Sequence, residues 1–153
     1  MSGLTRVAFS GSAWADSYYV QDYGNTTLYF YPENLINDAN LFPWVENVSG
    51  PGINQRVKLY FNGEKKIGYL SLELGYAPLR DHGEYYYKNN RPSKLRISFS
   101  DGSYMICDFP DQPVEWIVDF PCYVTTEWVE LTILDVYYGR DNDTCIYKVR
   151  AYK

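Results

Sequence analysis

The residues best suited to binding chemistry lie in one segment, YYYKNNRPSKL, over residues 85–95. The segment combines flat aromatic rings with planar amide and guanidinium groups, which belong to Tyr85, Tyr86, Tyr87, Asn89, Asn90 and Arg91. A sugar ring has an apolar face of C–H groups and a rim of hydroxyls, so a stacking plate beside paired donors and acceptors suits it. None of these side chains is a ready nucleophile. The segment therefore predicts a surface that binds a sugar without cleaving it. The alternative is that one or two tyrosines are core residues and that the asparagines only cap turns.

A second segment, VYYGRDNDT over residues 136–144, has the same chemical character. Its candidates for ligand contact are Tyr137, Tyr138, Arg140, Asp141 and Asn142. The alternative is a solvated hairpin turn over residues 139–142, with Asp143 and Thr144 hydrogen-bonded to the local backbone. Tyr76 and Glu46 complete the set of candidate ligand-binding residues, with Glu46 as an acceptor for hydroxyl groups at the edge of the site.

Residues that could support catalysis are sparse. His82 is the only histidine in the sequence, and it lies in a polar, glycine-flanked loop where a solvated side chain is expected. The sequence contains no Gly-x-Ser-x-Gly elbow, no phosphate-binding loop and no His-Glu-x-x-His pair. Carboxylates are plentiful, but a glycosidase needs two of them about 5–9.5 Å apart in a cleft, a spacing that a sequence does not reveal. We predict that the protein is not an enzyme.

Charge and composition argue against several kinds of partner. The 153-residue chain has a net charge of −5, whereas nucleic acids and anionic membranes attract basic surfaces. No apolar stretch is long enough to span a bilayer, and the N-terminal MSGLTRVAFSGSAW is not a secretory signal as written. The 17 tyrosines and 4 tryptophans are typical of strands and of binding surfaces. We therefore predict no nucleic-acid partner and no membrane insertion.

The three cysteines, Cys107, Cys122 and Cys145, are too widely spaced for a metal knuckle, and at most one disulfide is possible. Each cysteine lies beside apolar residues. The sequence predicts buried thiols, because free cysteine is among the most buried residue types.

Strand patterns dominate the chain, and no segment of ten or more residues has a convincing helical period. Val129, Leu131 and Ile133 alternate with their neighbours as on a strand with one wet face. The Asp101-Gly102 pair predicts a hairpin, and residues 32–39 predict a short helical turn opened by proline. The predicted strands are 26–31, 55–61, 67–75, 93–100, 103–109, 115–120, 127–134 and 145–152. Short strands at regular spacing indicate an all-β fold, an antiparallel β-sandwich or jelly roll.

Three stretches resemble a known family, namely NLINDANLFPWVENVSGPGINQRVKLYF (34–61), GYAPLRDHGEYYYKNNRPSKLRISFSDG (75–102) and VELTILDVYYGRDNDTCIYKV (129–149). They are similar to the discoidin-like, galactose-binding-type sandwiches related to the coagulation factor 5/8 type C domain. The similarity is greatest to the bacterial branch called NADase-type glycan-binding domains. It covers about residues 30–152, and the pairing of NNRP…SDG with YYGRDNDTCI is its most specific part.

The resemblance implies a galactose-binding-domain-like jelly roll whose two candidate segments are neighbours at one end. We predict a single discoidin-like carbohydrate-binding domain over residues 1–153, with an N-terminal strand region over residues 1–29 that the resemblance does not reach. The implied function is a non-catalytic, lectin-like carbohydrate-binding module that anchors a larger secreted or cell-surface protein to a glycan. An extracellular or cell-surface location follows from the same resemblance. The alternatives are a protein–protein interaction module that uses the same tyrosine-rich loops and a small glycoside hydrolase.

The resemblance also implies a structural calcium beside the loop NLINDANLF. Asp38 would supply a carboxylate, and the backbone carbonyls of Leu35 and Asn40 would supply further oxygens. Calcium takes about 6–8 oxygen ligands, as a rule including more than one carboxylate. The family's usual second carboxylate lies on the last strand, where this chain has Lys148, whose ammonium group could take the place of the cation and pair with Asp38. The resemblance further implies that Trp44 is packed in the core.

Overall fold

The computed structural model describes residues 3–153, and it consists mainly of β-strands. The strands are β1 (Arg6–Val7), β2 (Ala13–Ala15), β3 (Tyr19–Asp22), β4 (Thr27–Phe30), β5 (Trp44–Val45), β6 (Arg56–Leu74), β7 (Asn89–Phe99), β8 (Tyr104–Asp108), β9 (Glu115–Tyr137) and β10 (Asp141–Tyr152). Between them lie the helix α1 (Glu84–Lys88) and the short 3-10 helices Pro32–Ile36 and Asp81–Gly83.

The strands form an antiparallel β-sandwich, as predicted. Hydrogen bonds connect them in the order β1-β10-β6-β9-β7-β8, while β2 joins β6 and β5 joins β10. The long strands β6 and β9 shift their register twice, between Tyr60 and Lys65 and between Ile67 and Tyr69. Such irregularities bend a strand and let it pass from one layer of a sandwich to the other. At one end, the start of β10 pairs in parallel with the start of β7, which brings the two candidate segments together.

The core between the layers follows the alternation in the sequence. Val129, Leu131 and Ile133 of β9 are fully buried, as their spacing predicts. Trp44 is also fully buried, which confirms its expected place in the core, and its indole Nε1 donates a hydrogen bond to the carbonyl of Ser17 at 3.0 Å.

The predicted strands are present, and two pairs of them merge into longer strands. The merged pairs are 55–61 with 67–75 in β6, and 115–120 with 127–134 in β9. The hairpin at Asp101-Gly102 is confirmed, because Ser98 of β7 pairs with Tyr104 of β8 and Gly102 has a φ of 89°. The helical turn opened by proline is confirmed as the 3-10 helix Pro32–Ile36, which is shorter than the predicted range.

The tyrosine-rich segment is a loop in the prediction, but in the structure its first half is the helix α1. A helix of five residues is too short to show a 3.6-residue period in the sequence. Because the helix rotates each side chain by about 100° from the last, Tyr86 is buried whereas Tyr87 is exposed. No helix within residues 3–153 has the length and apolarity needed to cross a lipid bilayer.

The prediction of buried thiols holds for one cysteine and is wrong for another. Cys145 is buried, Cys107 is half-buried and Cys122 is exposed, and all three are free thiols. Cys122 lies in the part of β9 that bulges opposite Gly68, since Val124 pairs with Ile67 while Asp119 pairs with Tyr69. The bulge turns the cysteine away from the core, an effect that the apolar neighbours in the sequence do not indicate.

The hairpin of β3 and β4 is a separate two-stranded sheet beside the sandwich. Phe30 on its inner face packs in a small apolar cluster with Val45 of β5 and Cys145 of β10, and Tyr76 lies at the edge of this cluster. The hairpin therefore lies over the start of β10, at the end of the sandwich where β10 meets β7.

Candidate functional site

A cleft of about 470 Å³ opens between the β3–β4 hairpin and the end of the sandwich. It is lined by residues from strands that are far apart in the sequence, namely Tyr19, Gln21, Phe30, Val45, Tyr76, Asn89, Arg140, Asp141, Asn142 and Asp143. The hairpin contributes one wall, and the starts of β7 and β10 contribute the other.

Aromatic rings form one side of the cleft. The ring centroids of Tyr19 and Phe30 are 5.9 Å apart, and those of Phe30 and Tyr76 are 6.4 Å apart. Tyr85 continues the row behind Tyr76, with 5.8 Å between their ring centroids. Burial raises the pKa of Tyr76 to about 12, so its hydroxyl stays protonated and can donate a hydrogen bond at neutral pH. This side suits the C–H face of a sugar or another flat apolar surface.

Polar groups form the other side, and the buried Asn90 holds them together. The parallel contact places Asp141 beside Asn89 and Thr144 beside Asn90. The Asn90 side chain donates through Nδ2 to Oδ1 of Asn142 at 2.7 Å and accepts at Oδ1 from the backbone N–H of Gly139 at 2.8 Å. Because the amide of Asn90 is satisfied on both atoms, it fixes the start of β10 against the start of β7.

An ion pair between the buried Arg91 and the more exposed Asp111 supports the contact between β7 and β10. Arg91 donates through Nε and Nη2 to the two carboxylate oxygens of Asp111, at 2.9 and 2.8 Å. Its Nη1 reaches the carbonyls of Asn89 and Tyr138, at 3.3 and 3.4 Å. The hydroxyl of Tyr86 donates to the same carboxylate at 2.9 Å. The hydrogen bonds from Arg91 hold the pKa of Asp111 below its usual range, so the pair stays ionised at neutral pH.

The structure brings five of the candidate ligand-binding residues to the cleft and places the others elsewhere. The five are Tyr76, Asn89, Arg140, Asp141 and Asn142. Four candidates are buried with their polar groups bonded inside the protein, namely Tyr86, Asn90, Arg91 and Glu46. The remaining four lie outside the cleft lining, namely Tyr85, Tyr87, Tyr137 and Tyr138. For the buried four, the expectation of direct contact is corrected to a supporting role, because a side chain without exposed surface cannot touch a ligand.

Sequence reasoning missed the contribution of the hairpin and of Asp143. Tyr19 and Gln21 alternate in the stretch YYVQD, so they lie on one face of β3 and point into the cleft. That alternation could have indicated a strand, but not which part of the protein its inner face meets. The sequence suggests a role for Asp143 only in the alternative of a solvated hairpin turn, whereas in the structure Asp143 lines the cleft.

Glu46 lies beneath the polar side as a fully buried carboxylate. Its Oε2 accepts a hydrogen bond from the backbone N–H of Thr144 at 2.8 Å, and its Oε1 accepts a longer one from Val48 at 3.4 Å. Burial, with a further contribution from the charge of Asp143, raises the pKa of Glu46 to about 6. Glu46 therefore positions the start of β10 instead of accepting ligand hydroxyls at the edge of the site.

We expect Glu46 to make the protein less stable as the pH rises. Since its pKa is higher in the folded than in the unfolded protein, its contribution is fully present below the unfolded pKa and is lost as the pH rises through about 6. The loss should be about 2 kcal/mol in the free energy of unfolding, measured by urea denaturation at acidic and neutral pH. Glu46→Gln keeps an acceptor for Thr144 and should remove this loss, while Glu64→Gln at an exposed position should not. Parallel pH curves for wild type and Glu46→Gln would contradict the assignment.

The residues expected at a calcium site do not fit that ion. Asp38 is already bound by two guanidinium groups, from Arg6 at 3.0 Å and from Arg150 at 3.2 Å. Leu35 and Asn40 would offer only backbone carbonyls, so Asp38 is the single carboxylate among the three expected ligand residues. No cluster of three carboxylate, histidine or cysteine side chains within residues 3–153 is arranged to hold a metal. A single carboxylate that two arginines neutralise is a poor ligand set for calcium.

Lys148 lies on the last strand, β10, and its side chain reaches the loop that contains Phe42. Its ammonium group is almost fully buried and donates to the carbonyls of Phe42 and Tyr147, at 3.2 and 3.1 Å. It also lies 4.0 Å from the centroid of the Tyr147 ring. The expected direct pairing of Lys148 with Asp38 is therefore corrected, since arginines take that partner. The ammonium group of Lys148 therefore lies against the loop that precedes β5.

The sequence matches the family described as NAD glycohydrolase translocation F5/8 type C domain over residues 12–152. The chain belongs to this family, because the match spans nearly its whole length. The resemblance to coagulation factor 5/8 type C domains is thereby confirmed. No curated protein matches the sequence.

Solved structures share the fold at low sequence identity. The family 32 carbohydrate-binding module of C. perfringens NanJ, in complex with galactose, has 14% identity and a TM-score of 0.69 over 98% of this chain and 99% of that one. The CBM32 of AlyQ, in complex with 4,5-unsaturated mannuronic acid, has 14% identity and a TM-score of 0.64 over 96% and 97% of the two chains. Chitosan-binding module 1, from a chitosanase/glucanase of Paenibacillus sp. IK-5, has 11% identity and a TM-score of 0.63 over 97% and 99%.

Proposed function

We propose that this chain is a non-catalytic carbohydrate-binding module that anchors a parent protein to a glycan. The observation that carries the proposal is a single cleft that is lined both by the rings of Tyr19 and Tyr76 and by amide, guanidinium and carboxylate groups. A sugar needs both sides at once, because its C–H face stacks while its hydroxyls hydrogen-bond. The solved structures with the same fold are described as sugar complexes or sugar-binding modules, which supports the same function.

The residues divide into those that contact the glycan and those that hold them in place. Tyr19 and Tyr76 provide stacking, and Asn89, Arg140 and Asn142 provide hydrogen bonds to hydroxyls. Asn90 and Arg91 position these groups from inside the protein, as do Tyr86 and Glu46. A small site of this kind binds a single sugar weakly, so anchoring depends on several copies or on a larger parent protein at an extracellular surface.

The arrangement of the cleft carboxylates favours binding over hydrolysis. Asp141 and Asp143 both line the cleft, and burial together with the charge of Asp141 raises the pKa of Asp143. A glycosidase needs its two carboxyl groups to flank the scissile bond from different sides. Here both belong to the start of β10 and lie on the same wall, so they cannot flank a sugar bond.

A glycan array tests the proposal. The protein is presented multivalently as wild type, Tyr76→Ala and Tyr104→Ala, since Tyr104 is an exposed tyrosine on β8 outside the cleft. We expect wild type and Tyr104→Ala to bind the same set of related glycans and Tyr76→Ala to lose at least about tenfold in affinity, as for an aromatic hot spot. Circular dichroism verifies that each variant is folded. Addition of a chelator should leave binding unchanged, because Asp38 and Lys148 do not form a calcium site.

A protein partner is the second candidate function, and it rests on a different surface. Three exposed tyrosines, Tyr18, Tyr29 and Tyr31, lie next to each other on and beside the hairpin, with ring centroids 6.2 and 6.0 Å apart. Such a patch suits a protein contact. Binding of no glycan by folded wild type would contradict the carbohydrate proposal and favour this one.

A further inference from the structure

The cleft carries an excess of negative charge. Among its lining residues, Asp141 and Asp143 supply two negative charges and Arg140 supplies one positive charge, which leaves a net charge of −1. The buried carboxylate of Glu46 lies directly beneath, bonded to the backbone of Thr144 in the same strand. A ligand in this cleft therefore meets carboxylates on its polar side.

The charges of these two carboxylates are only partly balanced, because Arg140 is the single cation among the residues that line the cleft. Neither Asp141 nor Asp143 makes an ion pair with any residue in the described part of the chain, 3–153. Arg91 pairs with Asp111 and Lys148 donates to backbone carbonyls, so Arg140 supplies the positive charge among the residues that line the cleft. Burial, together with the charge of Asp141, raises the pKa of Asp143, as is typical of a half-buried carboxylate beside another one.

The aromatic side favours a cation as well. The face of a tyrosine ring attracts an ammonium group, and the attraction grows when water is excluded. Tyr19 and Tyr76 present rings to the cleft in which the carboxylates lie. Both sides therefore favour a ligand that combines a sugar ring with a positive charge.

We propose that the preferred ligand of the cleft is an amino sugar with a free, protonated amine, such as a glucosamine oligomer, a proposal that rests on the carbohydrate-binding function above. The ammonium group lies against the carboxylates of Asp141 and Asp143, and the ring stacks on the tyrosines. Acetylation of the amine removes the charge and adds bulk, so it weakens binding. A uronic acid brings a second negative charge and is repelled.

Binding of two matched oligosaccharides tests this preference. A glucosamine tetramer and an N-acetylglucosamine tetramer have the same backbone and differ in charge, and isothermal titration calorimetry measures the affinity of each. We expect the free amine to bind about tenfold more tightly, the size of a charge-assisted hydrogen bond. The preference should fall as salt is added and as the pH rises enough to deprotonate the amine.

Asp143→Asn supplies the matched variant, because it removes the charge and keeps the shape of the side chain. We expect the variant to prefer the free amine severalfold less than wild type does, since Asp141 keeps its charge. Asp108→Asn is the control, since Asp108 has a side chain that is 78% exposed and lies on β8 outside the cleft. This control should retain the wild-type preference.

The outcomes separate this inference from the function on which it rests. Equal or tighter binding of the acetylated tetramer, or an undiminished preference for the free amine in Asp143→Asn, would overturn the amino-sugar ligand. If neutral galactosides bind and neither tetramer does, the ligand class is wrong while carbohydrate binding stands. If no glycan binds and a lysine oligomer does, with loss in Asp143→Asn, both proposals fail and the cleft recognises a basic peptide.

Discussion

Replacing Arg91 by alanine should lower the free energy of unfolding by about 2 kcal/mol, because it removes a buried side chain together with its charge-assisted hydrogen bonds to Asp111. The Arg91 side chain is 6% exposed and binds both carboxylate oxygens of Asp111. The same change frees the carbonyls of Asn89 and Tyr138, so the start of β7 should loosen. Urea denaturation at neutral pH measures the loss.

Lys94→Ala is the control for that experiment. Lys94 pairs with Asp108 at 3.7 Å, but the two side chains are 44% and 78% exposed. An exposed pair contributes at most about 1 kcal/mol, so this variant should resemble wild type. Arg91→Lys should fall between the two, since lysine keeps the charge but cannot bind both carboxylate oxygens in parallel. Equal stability of Arg91→Ala and Lys94→Ala, with loss of glycan binding in Arg91→Ala alone, would show that Arg91 contacts the ligand.

Replacing Gly139 by alanine should separate the two strands that form the polar side of the cleft. A Cβ atom at this position would lie 2.5 Å from the backbone oxygen of Asn89 and 2.7 Å from the backbone carbon of Lys88. Because the new methyl group would meet backbone atoms, which cannot rotate away as a side chain can, the two strands should move apart. The hydrogen bond from the N–H of Gly139 to Oδ1 of Asn90 should then break. We expect a loss of about 1–3 kcal/mol in stability and a loss of about tenfold or more in glycan affinity.

Gly68→Ala separates this effect from the general cost of adding a methyl group. A Cβ atom there would lie 2.6 Å from Tyr123, but it would meet a side chain that is 54% exposed and free to rotate. Neither glycine has a positive φ, so backbone strain does not distinguish them. Gly68→Ala should retain glycan affinity and most of its stability. Identical behaviour of the two variants would contradict the tight contact between β7 and β10.

The strands and the sandwich could be predicted from the sequence because their signal is local. Alternation within a few residues places Val129, Leu131 and Ile133 on the buried face of β9. The Asp101-Gly102 turn sets its own hairpin through backbone geometry that glycine permits. Neither inference needs information from another part of the chain, so both survive in the structure.

The candidate site could be predicted only in part, because its surfaces depend on contacts between distant segments. Asn90 and Asn142 are 52 residues apart in the chain, yet their amides are hydrogen-bonded to each other. In the sequence both are polar residues of a loop, and nothing distinguishes the buried one from the exposed one. The parallel pairing of β7 with β10 decides which of the two is buried. It covers the side chain of Asn90 and leaves Asn142 exposed at the surface.

The sequence by itself therefore determined the fold class, the family and the two segments that meet at one end of the sandwich. The tertiary structure decided which of their side chains face a ligand. It buries Tyr86 and Arg91, which bind Asp111, and it brings Tyr19 and Asp143 into the lining of one cleft. The physical reason is that strand periodicity is encoded within a few neighbouring residues, whereas exposure of a polar side chain depends on which distant segment packs against it.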